Sequence, residues 1–376
     1  MTLDFSVLIW FVLSLFATSA IVQVIYGWGI LGKLAFYKPS TEINTDEEPV
    51  SIIIASRNEL QNLELNLRAI LEQDYPKFEV VVVNDCSWDE SQKFLETLQE
   101  EYKHLKVSQL VEQEKYPTGK KFALTIGIKA ASYNKMLFTD ADCAPASNQW
   151  LRLMQQQYTI GKEIILGFSP YRKVSGLLNA FVRFESLLAA ANYFGFALMK
   201  NAFMGVGRNL SYTKDVFFRH KGFASHNHLP SGDDDLFVNE AARPNNVAIQ
   251  IHPDSFVYTE AKKSYSAYSR QKVRHLHVGK YYKKKHKRIL AIYYISIFLF
   301  YATLVSTLVL NLQTWPIVSA VYGIRLISMT TILYLCAKKL QSVSVVWLLP
   351  LFDIIYLWYL MTIGLQAYFT KKIDRW

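Results

Sequence analysis

Cysteine is scarce in this chain: Cys86, Cys143 and Cys336 are the only three in 376 residues. They show no metal-binding spacing, so they read as free thiols of a reducing compartment. Charge is absent from three long stretches. Leu3 to Ile30 carries only Asp4, Ile289 to Cys336 only Arg325, and Val343 to Phe369 only Asp353. A run of about 20 apolar residues is enough to cross a bilayer. These absences exclude an ordinary soluble protein. They predict one membrane helix within residues 1–32 and about three within 289–370, near 289–310, 316–336 and 343–369. The start, Met1-Thr2-Leu3-Asp4, lacks basic residues and the apolar run behind it is long, which favours an anchor over a cleaved signal peptide. Internal repeats and low-complexity segments are also missing.

Positive charge is plentiful where the apolar runs stop. The net charge is +10, and much of it lies in Lys280-Tyr281-Tyr282-Lys283-Lys284-Lys285-His286-Lys287-Arg288. Directly before an apolar run, such a segment reads as contact with anionic membrane lipids. No nucleic-acid-binding motif accompanies it, so nucleic acid is not an expected partner. Lys33 and Lys38 follow the first apolar run, and Lys338-Lys339 follow the third. By the positive-inside rule the polar centre of the chain is cytoplasmic, and a bacterial inner membrane is the expected location. The basic tail, 371–376, disagrees, because three C-terminal crossings leave it outside. Either the last apolar stretch, with Pro350 and Asp353 inside it, is not a simple span, or the tail is an exception.

Between the membrane segments, 33–49 reads as a linker, 50–262 as one domain, and 263–288 as a basic helix at the interface. Val50 to Ala55 and Glu79 to Asn84 are β-branched runs that predict buried strands. A weaker strand is expected over Leu105–Leu110, and another ends at Thr139. Leu60, Leu63, Leu67, Ile70 and Leu71 recur at helical spacing, with Asn58 as the N-cap. Helices are also expected from about Asp89 to Glu101 and from Lys120 to Ala131. Alternating strands and helices predict an α/β fold with a parallel sheet covered on both faces. The apolar stretch 176–202 fits equally a core helix and a helix lying on the membrane.

The residues able to carry chemistry are mostly acidic. Asp140 and Asp142, in Phe138-Thr139-Asp140-Ala141-Asp142, share one face of an extended segment at the end of a strand. Open α/β sheets bind ligands there, and paired carboxylates are commonly bridged by a divalent ion that also meets phosphates. The competing reading is a surface turn. Asp85 ends the second strand and suits a ribose or a base N–H, or else an Asx turn. Asp233-Asp234-Asp235 follow Gly232 and can hold a general base or simply cap a helix. Lys120 suits a phosphate or a solvated helix face. His226, His228, His275 and His277 read as surface residues.

In combination these motifs resemble the family 2 glycosyltransferases over about residues 50–280. Ile54-Ala55-Ser56-Arg57-Asn58-Glu59 is similar to the family's opening strand, and Asp85 to its nucleoside-binding Asp. Gly119-Lys120-Lys121-Phe122-Ala123-Leu124, Asp140-Ala141-Asp142 and Gly232-Asp233 follow in the family's order. Gly205-Val206-Gly207-Arg208 falls at its acceptor loop, and Gln271-Lys272-Val273-Arg274-His275 at its Gln-x-x-Arg-Trp. Two departures stand out: Gly232 replaces a Glu, so that Asp234 or Asp235 shares its work, and His275 replaces a Trp.

The resemblance implies a GT-A, Rossmann-like nucleotide-sugar domain that is inverting and metal-dependent. It implies Asp233 as base, and Asp142 with Asp140 as ligands of Mg²⁺ or Mn²⁺. Ala55, Arg57, Glu59, Asp85, Lys120, Asp140, Gly205, Arg208, Asp234, Gln271 and Arg274 are the implied substrate contacts. The implied donor is a nucleotide sugar, most often a uridine diphosphate sugar. The implied acceptor is a membrane lipid or lipid-linked glycan, as in the ceramide-glucosylating relatives. A processive polysaccharide synthase is the alternative. A non-catalytic nucleotide-sugar sensor keeps the fold but has no use for the acidic set. The oligomeric state is not legible.

Overall fold

The computed structural model describes residues 5–39, 42–112 and 119–370. The opening Met1–Asp4 and the basic tail lie outside these. A first helix, α1 (Phe5–Tyr26), runs through a π turn (Gly27–Leu31) into α2 (Gly32–Ala35). Strands and helices then alternate: β1 (Val50–Ser56), α3 (Leu60–Leu71), β2 (Phe78–Asp85), α4 (Ser91–Glu101), β3 (Leu105–Leu110), α5 (Lys120–Ala130) and β4 (Lys135–Asp140). β-branched residues pack well on a pleated surface, and side chains alternate between its faces. Ile53, Ala55, Val81, Val83, Met136 and Phe138 enter one core, while Ile52, Ile54, Val80, Val82 and Leu137 enter a second on the other face.

Beyond β4 the elements shorten. They are β5 (Cys143–Pro145), α6 (Trp150–Gln155), β6 (Ile164–Leu166), α7 (Leu177–Leu198), β7 (Leu210–Thr213), α8 (Lys214–Arg219), α9 (Asp235–Ala241), β8 (Val247–Ile249), β9 (Val257–Thr259) and α10 (Tyr265–Val278). The main sheet has the order β3-β2-β1-β4-β7-β6-β8, and β5 pairs with β9. The parallel sheet expected from the sequence forms its first half, and the second half is mixed. β3, β2, β1 and β4 are parallel, but β7 runs antiparallel to β4 and to β6.

Two local expectations also change. Asn58 does not cap α3. It sits in the left-handed region at φ 55, and its Oδ1 accepts the Trp88 N–H at 2.9 Å. Asp89 Oδ2 accepts the Leu60 N–H instead, at 3.1 Å. The stretch 176–202 forms α7, most of which is buried. Its Tyr193 hydroxyl donates to the Gly167 carbonyl just after β6. Gly195 crosses the π turn so closely that a Cβ there would lie 2.4 Å from the Ile30 carbonyl oxygen.

The C-terminal part holds α11 (Lys284–Leu310), α12 (Trp315–Lys339), a 3₁₀ turn (Val343–Leu348), α13 (Leu349–Tyr359), a π turn (Leu360–Gly364) and α14 (Leu365–Phe369). Four helical stretches are long and apolar enough to cross a membrane: Ser6–Ala35, Lys284–Leu310, Leu312–Lys339 and Val343–Phe369. α1 and α11 pack side by side in opposite directions, with Tyr26 stacked on Tyr293 and Phe16 on Phe300. The lone charges of the two C-terminal apolar runs meet, since Arg325 of α12 pairs with Asp353 of α13. Arg325 also donates to Gln23 of α1, and Tyr301 of α11 donates to Asp353. One hydrophobic core joins the sheet face under α5 and α7 to the inner ends of α1 and α12.

Gly195→Ala tests this junction. The added methyl meets backbone that cannot rotate away, and overpacking typically costs ~1–3 kcal/mol. Thermal unfolding in detergent is expected to show a lower Tm than wild type. An unchanged Tm means that α7 and the π turn do not approach this closely.

Candidate active site

The parallel strands end at one edge, and the register sets which residues meet there. Ala55 pairs with Asp140 on one side and with Val83 on the other, and Ser56 with Asn84. Asp85 is the last residue of β2 and is fully buried. Its Oδ2 accepts the Gly119 N–H at 3.1 Å. Its Oδ1 is buried without a hydrogen-bond partner among the described residues, as are Ser56 Oγ and Thr139 Oγ1. Such atoms cost about 1–3 kcal/mol each when unmatched. Three of them at the ends of adjacent strands are polar capacity suited to a bound group. Arg57 and Glu59 follow β1 and are half-buried. Burial raises the Glu59 carboxyl, while Asn62 donates to it.

The centre of the site is an ammonium between two carboxylates. Lys120 opens α5, and its Nζ lies 2.7 Å from Asp140 and 3.5 Å from Asp233. Burial alone would push Lys120 down, but Asp140, Asp233 and Asp234 hold it above its ordinary value. Burial likewise pushes Asp140 up, and Lys120, Arg208 and Arg274 together pull it below the usual carboxylate range. Opposite charges within a few ångströms favour the ionised form of each. Lys121, the next residue, turns away and donates to the carbonyls of His226 and Leu229 at 2.6 and 3.2 Å, holding the segment before Asp233.

The acidic triplet divides its labour. Gly232 has φ 102, and a Cβ there would lie 2.7 Å from Leu236 Cδ1. A Glu at this position would be strained, which accounts for the departure from the resembling motif. Asp234 accepts the Asp235 N–H with one oxygen and the Gly207 N–H with the other, both at 2.8 Å. It therefore fixes the loop Gly205–Arg208. Asp235 accepts from Leu236 N–H and from the Tyr282 hydroxyl, each at 2.8 Å. Burial, then the neighbouring carboxylates, raises both Asp234 and Asp235. Asp233 is the member of the triplet that meets Lys120, and it is buried.

Arg208 lies on the far side of the carboxylates. Its guanidinium donates to Ser169 Oγ at 2.9 Å and Tyr171 Oη at 3.4 Å, and stacks on the Tyr171 ring at 5.0 Å. Gly205 lies against the core, where a Cβ would meet Leu210, Leu166 and Val238 within 3.2 Å. α10 closes the site. Gln271, Arg274 and His275 are half-buried on one side of it, while Tyr268 and Lys272 are buried on the other, Lys272 pairing with Glu185 of α7. His275 feels burial first, then the charges of Lys272, Arg274, Arg208 and Lys120, and its pKa is held far below the ordinary imidazole value. It belongs to the site rather than to a polar surface. The surface reading also fails for His226 and His277, which are buried, whereas His228 is exposed. Ser169, Tyr171 and Tyr282 were not expected from the sequence. No motif marks them, and only the packing of β6 and α10 brings them in.

The residues fit a divalent ion of a particular kind. Among the described residues no group of three His, Cys, Asp or Glu side chains could hold a metal alone. Two carboxylates one residue apart suit Mg²⁺ or Mn²⁺ when phosphate oxygens complete the shell. Asp140 is engaged by Lys120, whereas Asp142 has one oxygen, Oδ1, accepting from Cys143 Sγ at 3.2 Å.

Residues 51–224 match the model of Glycosyl transferase family 2. The chain is 36% identical over 104 residues to glycosyltransferase AglE of Haloferax volcanii, covering 27% of this chain and 33% of that protein. It is 32% identical over 123 residues to the poly-beta-1,6-N-acetyl-D-glucosamine synthase of Staphylococcus aureus, 30% of this chain and 29% of the other. The chain thus spans about a third of the length of the curated relatives it matches. Among solved structures, the mannosyltransferase PcManGT of Pyrobaculum calidifontis, in complex with GDP-Man and Mn²⁺, aligns with a TM-score of 0.58 at 17% identity. That alignment covers 93% of this chain and 98% of the other, a likeness of fold. Residues 51–224 are therefore a glycosyl transferase family 2 domain with a GT-A fold, flanked by apolar helices long enough to cross a membrane.

Proposed function

We propose that the protein is an inverting glycosyltransferase that moves a sugar from a nucleotide sugar to the hydroxyl of a membrane lipid or lipid-linked acceptor, at the cytoplasmic face. The observation that carries this reading is the Lys120 ammonium between Asp140 and Asp233, with Arg208 and Arg274 acting on Asp140 as well. In such a site the acceptor oxygen attacks the anomeric carbon while its proton passes to Asp233. The bond to the diphosphate breaks, and Lys120, Arg208 and Arg274 stand ready for the negative charge that leaves. Donors aimed at charge that develops in the transition state commonly contribute more to catalysis than any other single effect. A bound Mg²⁺ or Mn²⁺, held by Asp142 directly with Asp140 beside it, would supply further charge neutralisation to the diphosphate. Asp85, with an unmatched buried oxygen, suits the nucleoside. Ala55, Arg57 and Glu59 would border it at the strand edge. Gln271 and Arg274 on α10 would face the diphosphate.

The surroundings support a lipid acceptor. The site is closed by α10, which leads into α11, the longest apolar helix of the C-terminal part. A hydroxyl at the membrane surface needs no long path to Asp233. The second reading, a processive polysaccharide synthase, is favoured by the likeness to the poly-beta-1,6-N-acetyl-D-glucosamine synthase over 123 residues. His275 opposes it, because an imidazole offers less stacking surface to a growing chain than the family's Trp.

Asp233→Asn is expected to lower turnover by ~10²–10⁴ while nucleotide-sugar binding, followed by calorimetry, stays within a few-fold. Equal loss of both would remove Asp233 from the role of base. Chelation with EDTA should abolish transfer and Mg²⁺ or Mn²⁺ should restore it; transfer that persists in EDTA excludes the metal role of Asp140 and Asp142. The donor and acceptor are separable by mass. The protein, incubated with total membrane lipid and either uridine or guanosine diphosphate sugars, should yield a lipid heavier by one sugar. A high-mass polymer instead identifies the synthase.

A further inference from the structure

We propose that the last apolar stretch, 343–369, does not cross the membrane but lies in its interface. In that arrangement one face rests on the glycosyltransferase domain and the other enters the lipid. The chain then crosses three times, and Thr370 sits on the same side as the domain. This inference concerns topology and stands apart from the sugar-transfer reading.

Both ends of the stretch touch the same body. At its start, the Arg183 guanidinium of α7 donates to Ser344 Oγ at 2.8 Å. Val345 and Val346 are buried in the core that α7 shares. In its middle, Phe352 packs on Phe181 and Phe184 of α7, with ring centres 5.6 and 5.2 Å apart. Tyr359 meets Phe181 at 5.8 Å and Tyr268 of α10 at 6.4 Å. At its end, Lys280 beyond α10 donates to the Thr370 carbonyl at 3.3 Å and lies 5.5 Å over the Tyr368 ring. His277 of α10 lies 3.3 Å from the Ala367 carbonyl.

A crossing helix cannot do this. About 20 residues at 1.5 Å rise separate its two ends by roughly 30 Å in depth. α11 and α12 show the contrast. α11 begins at the domain, where His286 meets Asn201 and Asn239. α12 returns to the inner end of α2, where Lys339 donates to the Tyr37 carbonyl at 2.6 Å. The connection between them, Asn311 to Thr314, bonds to itself and to the end of α11.

The outward face identifies what covers it. Trp347, Leu351, Ile354, Trp358, Met361 and Leu365 recur every three or four residues and are exposed, Trp347 at 70% and Trp358 at 63%. Such a stripe, with aromatic residues along it and protein beneath it, fits the boundary between headgroups and hydrocarbon. Its occupant is the bilayer itself, because the stripe is continuous with helices already suited to lipid. Charge agrees. With three crossings, Lys33, Lys38, Lys280 to Arg288, Lys338, Lys339 and the tail Lys371, Lys372 and Arg375 all fall on one side in the sequence.

The test is relative sidedness in the full chain. Single cysteines are introduced at exposed positions: K93C in α4, Q313C between α11 and α12, and Q366C near the end of the stretch. Sealed vesicles are treated with a membrane-impermeant maleimide before and after they are opened, with the wild-type chain as background. Q366C is expected to label together with K93C, and Q313C under the opposite condition. Q366C labelling together with Q313C would overturn the proposal. F369C repeats the measurement, so a failure of Q366C to fold does not decide the result. A further readout is quenching of the Trp358 signal, taken as the difference between wild type and W358F, by lipids brominated at different depths. Strongest quenching from shallow positions supports an interfacial helix, and strongest quenching from the bilayer centre counts against it.

Discussion

The contact between Lys120 and the two carboxylates Asp140 and Asp233 is the interaction on which the site depends. Asp140 comes from the end of a strand and Asp233 from a loop some ninety residues later, and without a cation between them their approach would be repulsive. The ammonium makes the crevice possible before any substrate arrives. It also sets the division of roles around it. Asp234 and Asp235, held by backbone N–H groups and by Tyr282, shape the loops. Asp233 is left to meet the ammonium. The same logic reaches α10, whose Arg274 helps to hold Asp140 low.

A second constraint is the core shared by the domain and the apolar helices. The sheet buries one face against α5 and α7, and α7 in turn packs on α2 and the π turn that ends α1. The domain is therefore fixed to the membrane part by close packing rather than hung from a flexible linker. Among the apolar helices, Arg325 and Asp353 would be costly if buried unpaired. They meet each other, and Gln23 and Tyr301 complete their hydrogen bonds, so one polar cluster ties α1, α11, α12 and α13 together. α13 is thereby held against the bundle on one side and against α7 on the other.

Much of this was legible in the chain. Strands β1, β2 and β4, helices α3 and α5, and the apolar stretches follow from hydrophobic period and length, which local sequence fixes. The acidic pair and Lys120 were legible as chemistry because strand ends and helix starts carry their side chains in known directions. What failed were features settled by distant neighbours. Asn58 has the position of a cap, but Asp89 takes that part. His226, His275 and His277 have the polarity of surface residues, yet His226 and His277 are buried and His275 is half-buried beside charges far from it in sequence.

The sequence by itself determined the α/β core, the apolar segments and the identity of the charged residues, because period, length and charge are local properties. Only the tertiary structure decided that β7 reverses the sheet, and that Gly232 cannot be a Glu because its backbone is left-handed and Leu236 fills the space. It alone decided that Asp234 holds a loop while Asp233 meets Lys120. These outcomes depend on which surfaces come within a few ångströms of one another, and that distance is set by packing across the whole chain.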